Sequence, residues 1–333
     1  MRKKLTLGHG SGGKLMNELI NNLIIKIFDM DEITIDDSYI YTPQAKKLAF
    51  TTDTFTVSPI FFPGGDIGKL AINGTINDLS VMGAVPKIIS VGLVIEEGFE
   101  ISNLEKILKS MKSAADIGKV KIVTGDTKIV EQGKVDKIFI NTSGIGEFIY
   151  EIQRKPIQIG DKIIINGTIG DHGVSVMAKR NNFSFVKELQ SDCAPLNHLI
   201  LDIVKKFPVS IKFMRDPTRG GVASVLNEIV KDKPFGIKIY EEDLPVKGEV
   251  KGVSEILGID PLYIANEGKV LMIVESKNAE NIVKELRKSE NGKDTKIIGE
   301  VIDTFPGKVY IETMVGGKRL LPLLIDEQLP RIC

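Results

Sequence analysis

Residues 47–53, KLAFTTD, read as a strand that ends on Asp53, and residues 66–83, DIGKLAINGTINDLSVMG, read as a helix crowded with small residues. Working outward, the same alternation continues. Residues 86–95 predict a strand, 103–117 a helix, 120–124 a strand, and 138–146 (IFINTSGIG) the strand that closes the set. Upstream, Leu15, Leu19, Leu23 and Ile27 recur every fourth residue and predict an amphipathic helix. Strands alternating with helices, with glycine at the junctions, place the chain in the α/β class, with mixed α+β character.

Residues 151–160, EIQRKPIQIG, are polar, contain a proline and show no period, so a domain boundary is expected there. The reading divides the chain into a first domain over 1–155, a second over 156–325 and a tail over 326–333. The second half repeats the style of the first. Strands are expected at 162–166, 236–240, 270–274 and 297–301, and helices at 174–180, 221–230, 252–257 and 279–288. The tail, DEQLPRIC, has no partner pattern and is expected to be mobile.

A length of 333 residues suits two domains, and 42% apolar residues suffice for their cores. Lys and Arg number 44, as do Asp and Glu, so the charge balance gives no footprint for a nucleic acid. The two cysteines, Cys193 and Cys333, exclude a disulfide framework and a multi-cysteine zinc site. The basic N-terminus leads into no apolar stretch, and no apolar run approaches the ~18 residues of a membrane span. The expectation is a soluble, cytoplasmic protein.

The segment from Gly8 to Lys14, GHGSGGK, fits the spacing of a Walker loop, but Leu15 stands where that loop needs Ser or Thr. It also fits a dinucleotide fingerprint, but only seven residues precede it, too few for the first strand of that fold. The underlying chemistry survives both rejections. Backbone N–H groups at Gly10, Ser11, Gly12 and Gly13 can approach phosphate oxygens, and Lys14 adds a point charge. The other reading is a flexible segment ending in a helix cap at Ser11.

Asp53, Asp78, Asp126 and Asp216 all sit beside strand or helix ends in glycine-rich surroundings. Any one of them could be a turn or cap residue. Together they suggest carboxylates holding Mg²⁺, which in turn holds a triphosphate, with Lys14, Lys128 and Arg219 neutralising the rest. Arg219 could hold a phosphate or carboxylate bidentately. His172, in GDHG, reads as a capping or loop residue. Glu267, in ANEGK, is a candidate base, and on local grounds alone a surface turn carboxylate. Cys193 reads as a loop or core cysteine. Cys333, the last residue given, has a thiol suited to carrying a group into a pocket and out to a partner. Its thiolate would need a cation such as Arg331 nearby.

Taken in order, HGSGGK, TTD, PGGDIGKLAINGTINDLSVMGA, TGDTK, GDHG, RDPTRGG, ANEGK and the final PRIC resemble one family. It is the HypE family of hydrogenase maturation proteins, in the PurM-like ATP-binding superfamily related to aminoimidazole ribonucleotide synthetase. The likeness runs from about Leu7 to Cys333. It implies a two-domain PurM-like fold whose N-terminal domains pair into a homodimer, with ATP and Mg²⁺ between the domains. Asp53, Asp78 and Asp216 match the metal-binding aspartates. Asp126, Thr127 and Lys128 match the TGDTK loop, and the N-terminal glycine-rich loop covers the phosphates. The implied reaction starts when a carbamoyltransferase, HypF, loads a carbamoyl group onto Cys333. ATP then drives its dehydration to S-cyanide, which passes to the iron on a HypC–HypD scaffold. An amide oxygen leaves poorly until it is phosphorylated. A base must then take protons from the nitrogen. Glu267 is the candidate base and Lys128 the candidate stabiliser, with exchange of the two roles left open. A selenophosphate synthetase-like phosphotransferase is the alternative enzyme, although its loop usually carries a Cys or selenocysteine that is absent here. A nucleotide-gated scaffold without chemistry is the alternative of another class.

Overall fold

The computed structural model describes residues 4–30, 38–150, 155–183, 188–324 and 329–333; part of the expected boundary (151–154) and part of the tail (326–328) lie outside the described residues. The chain opens with a 3-10 turn (Leu7–Gly10), helix α1 (Lys14–Leu19), a π-helical turn (Ile20–Ile24) and α2 (Ile25–Phe28). Strand β1 (Leu48–Phe55) follows, then the short pair β2 (Phe61–Phe62) and β3 (Gly65–Asp66). Next come α3 (Ile67–Val81), β4 (Val85–Glu96), α4 (Ile101–Gly118), β5 (Lys121–Val130) and β6 (Ile138–Glu147). The second half contributes β7 (Lys162–Ile165), α5 (Asp171–Arg180), α6 (Asn197–Lys206), β8 (Ile211–Arg215), α7 (Gly221–Val230) and β9 (Gly236–Tyr240). It ends with α8 (Gly248–Leu257), β10 (Leu271–Val274), α9 (Ala279–Leu286), β11 (Lys296–Ile302), β12 (Val309–Glu312) and β13 (Lys318–Leu320).

The first sheet has the order β1-β6-β4-β5, with β4 and β5 parallel and the other pairs antiparallel. Side chains alternate across a strand, and one face of this sheet lies against α3 and α4. In α4, Leu104, Ile107, Leu108 and Met111 are buried at helical spacing, which explains why the sequence forms an amphipathic helix there. On the opposite face, Leu48 and Phe50 of β1 are exposed.

The second sheet has the order β13-β12-β9-β11-β7-β10-β8. Its central strands are buried on both faces. Ile163 and Ile165 of β7 enter the cluster with α7, and Ile164 enters the cluster with α6 and α9. Continuous apolar runs such as LMIV in β10 follow from that double burial. The two halves are joined through α3. Val81 packs into the α6–α9 cluster, and Asn77 donates to the backbone carbonyls of Ala194 and Glu267 while accepting from the Leu196 N–H.

The strand expected to end at residue 124 instead runs to Val130, so Asp126 and Lys128 are strand residues. Helix α8 starts at Gly248 and α5 at Asp171, each earlier than expected. Among the described residues, no helix is long and apolar enough to cross a membrane.

Candidate active site

Gly74 lets α3 approach β1 closely. A Cβ there would lie 2.8 Å from the Phe55 ring and 3.8 Å from Asp53 Oδ2. One helical turn on, Asp78 faces the same strand and accepts a 2.7 Å hydrogen bond from Thr51 Oγ1. Thr51 and Asp53 point to the helix side of β1, so Asp53 and Asp78 share one crevice. Burial, and then the charge of Asp78, raise the Asp53 carboxyl above its ordinary range, while Arg219 opposes the shift. Burial also raises Asp78, against Thr51 and the two arginines Arg219 and Arg215. Arg215 forms an ion pair with Glu228.

The second half brings Asp216 to the same place from the end of β8. Burial, with the charges of Asp78 and Asp53, pushes its carboxyl up to about 7. Asp78, Asp216 and Arg219 line a cleft of about 690 Å³ between the two halves, together with Phe50 and Phe213. Glu267 is 3% exposed, so it is not a surface turn residue. Burial, then Asp216, Asp192, Asp53 and Asp78, raise its carboxyl well above the ordinary value. Its Oε1 is buried without a partner. Four carboxylates thus crowd together with too little positive charge to balance them.

Asp126 and Lys128 do not join this cluster. Thr127 is buried beneath the sheet, so its two neighbours point to the open face, opposite to Asp53. In register, Asp126 pairs with Gly92, Gly92 with Asn141 and Asn141 with Thr54, which puts three strand spacings, about 14 Å, between them and β1. Lys128 donates to Asp126 at 2.8 Å and holds its carboxyl below the usual range. The glycine-rich segment lies beside β5. Gly10 lies so close to β5 that a Cβ would fall 2.6 Å from the Ile129 nitrogen. Ser11 is not the cap of α1; Gly13 occupies that position, and Ser11 Oγ donates to the Gly8 carbonyl. Lys14 is exposed, 3.9 Å from Glu18. Asp126 and Lys128 therefore lie on the opposite face of the first sheet from Asp53 and Asp78.

Residues 329–333 of the tail, expected to lie free, are docked. Thr56 N–H donates to the Cys333 carbonyl oxygen at 3.1 Å, and Ser58 N–H to that of Arg331 at 3.1 Å. Ile332 is 3% exposed and packs in the cluster that holds Val176, Cys193 and Ala265, with Cys333 against the same cluster. The tail thus brings Cys333 to the end of β1. The Arg331 guanidinium pairs with Asp136 at 2.8 Å and donates to the Thr56 carbonyl. Cys193 is a core residue, its thiol pushed up to about 12 by burial.

His172 is neither a cap nor a loop residue. It is the second residue of α5, fully buried, with Nε2 2.9 Å from the Ile332 carbonyl oxygen and Nδ1 2.8 Å from Ser191 Oγ. Arg180, which the sequence did not single out, also reaches the tail. Neither role has a local signal, because both partners are remote in the chain.

Among the described residues, no three carboxylate, imidazole or thiol groups are gathered closely enough to enclose a metal ion by themselves. Mg²⁺ does not require that, since it takes one or two carboxylates and completes its shell with phosphate and water oxygens. Hard oxygen donors, mutually repelling and held at raised pKa, fit such an ion.

Residues 35–148 match the family model described as AIR synthase related protein, N-terminal domain, and residues 158–312 match AIR synthase related protein, C-terminal domain. A protein from Rhizobium leguminosarum bv. viciae, carbamoyl dehydratase HypE, is 43% identical over 333 residues, covering 99% of this chain and 95% of its own. A crystal structure of hydrogenase maturation protein HypE in complex with ATP superposes with a TM-score of 0.93 at 42% identity, over 99% of this chain and 100% of that one. A chain from the crystal structure of a HypE–HypF complex superposes with a TM-score of 0.80 at 47% identity, over 94% of this chain and 100% of that one.

Proposed function

Because the chain belongs to the carbamoyl dehydratase HypE family of AIR synthase related proteins, we propose that it is an enzyme that removes water from a carbamoyl group on its own Cys333, using ATP. The observation that carries this reading is the docked tail, which binds the Cys333 carbonyl oxygen at the end of β1, the strand that carries Asp53. The balance is S–CO–NH₂ plus ATP giving S–C≡N plus ADP and phosphate. The carbonyl oxygen leaves on the phosphate, and both amide protons are lost.

Asp53, Asp78 and Asp216 are the residues that would hold Mg²⁺. When bound, the ion would neutralise the triphosphate and relieve the like-charge pressure on Glu267. Arg219 faces Asp53 and Asp78 and can neutralise phosphate oxygens. Glu267 accepts a proton from the amide nitrogen, its low-polarity seat favouring the proton-bound form. Lys128 stabilises the phosphate or the phosphorylated group from the glycine-rich half-site, which includes Gly10, Ser11, Gly12, Gly13, Lys14, Asp126 and Thr127. A homodimer meets that requirement. The open face of the first sheet, with Leu48 and Phe50 exposed, pairs with its copy, and each chain lends its β5 half-site to the other's carboxylates. HypF loads the thiol, and the HypC–HypD iron scaffold receives the cyano group for [NiFe]-hydrogenase assembly.

The test is to treat carbamoylated protein with ATP and Mg²⁺ and weigh its C-terminal peptide. Loss of one water at Cys333, absent in Glu267→Gln, is expected. No loss in the parent protein would instead favour a nucleotide-gated scaffold. Asp78→Asn is expected to lose Mg²⁺-dependent turnover.

A further inference from the structure

The main chain on both sides of Glu267 is tied down, while Oε1 of its carboxyl has no partner. Asn266, fully buried, accepts from the Gly170 N–H at 2.8 Å and donates to the Ile264 and Pro217 carbonyls. Asn77 donates to the Glu267 carbonyl at 3.2 Å. Asn166 donates to the Gly268 carbonyl at 3.3 Å and accepts from the Val270 N–H at 2.7 Å. A further tie is of another kind. Asp192 Oδ1 accepts from the N–H of Glu267 itself at 3.1 Å. Its Oδ2 lies 2.9 Å from Lys269 Nζ as an ion pair, and both side chains are buried. The two segments touch at Gly268, where a Cβ would fall 1.8 Å from the Asp192 carbonyl oxygen.

A buried carboxylate is a costlier acceptor for one N–H than an asparagine, the residue that makes the neighbouring ties. Its return is strength, because a charged acceptor holds an N–H more firmly than a neutral one. Lys269 supplies the balancing charge and grips the second oxygen. The segment that carries Asp192 is itself fastened to the first half of the chain. Ser191 N–H donates to the Pro63 carbonyl at 2.8 Å, and Asn77 of α3 donates to the Ala194 carbonyl at 3.1 Å. We propose that Asp192, held by Lys269, is a positioning residue that sets where the Glu267 main chain, and with it the Glu267 carboxyl, stands relative to the half that bears Asp53 and Asp78. The inference rests on the reading of Glu267 as the base. Asp192 acts through the Glu267 main chain, so its loss should lower the rate of the proton-transfer step and leave ATP binding alone.

The experiment compares two double variants of the full-length protein. Asp192→Ala with Lys269→Met removes the acceptor, and Asp192→Asn with Lys269→Met keeps one. Neither leaves a buried charge unpaired, so both should unfold in urea near the parent midpoint. With carbamoylated protein, ATP and Mg²⁺, the Ala pair should dehydrate about tenfold more slowly or worse, the scale of a small misplacement of a reacting group, at an unchanged KM for ATP. The Asn pair should stay closer to the parent rate. Hydrogen exchange of the peptide that carries Glu267, measured by mass without nucleotide, should be faster in the Ala pair than in the Asn pair. If the Ala pair folds poorly, Asp192→Ser with Lys269→Met replaces it, since that hydroxyl stops one bond short of Oδ1, and the same fall is expected. Equal dehydration rates in the acceptor-free and Asn pairs would overturn the proposal, as would equal exchange. A parent protein that loses no water, with exchange still faster in the Ala pair, would remove the enzymatic reading and keep the tie, so the two failures are distinguishable.

Discussion

Replacing Asp216 by Asn should make the metal-free protein more stable above neutral pH, not less. Asp216 keeps its proton up to about 7 in the fold, against an ordinary 3.8, because it is buried beside Asp78 and Asp53. The unfolded chain releases that proton first. The sign follows from the raised folded pKa: the stability is present at low pH and is lost as pH rises through the folded value. Each pH step inside that window costs the fold about 1.4 kcal/mol, with a ceiling of about 4 kcal/mol for the whole window. The three carboxylates titrate together, so one substitution recovers only part of this. Urea denaturation in EDTA, from about pH 4 to pH 8, should show the two proteins nearly equal at the acid end. The Asn variant should gain about 1–4 kcal/mol at the alkaline end. Mg²⁺ with ATP should raise the midpoint of the parent and leave that of the variant nearly unmoved. Parallel pH curves, or an equal response to Mg²⁺, would refute the claim that these carboxylates are stored in mutual repulsion for a cation.

Gly74→Ala places a methyl 2.8 Å from the Phe55 ring and should cost about 1–3 kcal/mol in urea denaturation, with loss of Mg²⁺-dependent turnover; parent-like stability and turnover would show that the close approach of α3 to β1 is not needed. Lys212 and Asp161 form a 2.8 Å ion pair at 2% and 4% exposure. Lys212→Met should cost about 3–5 kcal/mol by leaving a buried charge unpaired, and Lys212→Met with Asp161→Leu should recover much of it, as measured by denaturation. In native protein the Cys193 thiol, pushed up to about 12, should stay unlabelled by iodoacetamide while Cys333 reacts; label on the Cys193 peptide would contradict its burial.

Much of the fold was legible because its signals are local. The 3.6-residue period of α4 and the apolar runs of β7 and β10 reflect the faces those elements bury. The aspartates were visible for a similar reason, as short acidic residues next to the glycines that let backbones come close. Element starts were less visible: α5 begins at Asp171 because Gly170, at φ 83, makes the turn, and no apolar residue marks it.

The amino-acid sequence by itself determined the α/β class and offered the aspartates and Cys333 as candidates, since composition, period and spacing are written along one dimension. Tertiary structure alone decided which of these groups meet. It gathered Asp53, Asp78, Asp216 and Glu267, and it set Lys128 on the far face of the sheet through a two-residue alternation at Thr127. It also buried Glu267 among other carboxylates, which raises its carboxyl well above the ordinary value, and gave His172 a carbonyl from 160 residues away. Burial and charge proximity depend on neighbours brought from distant parts of the chain, and no local pattern records them.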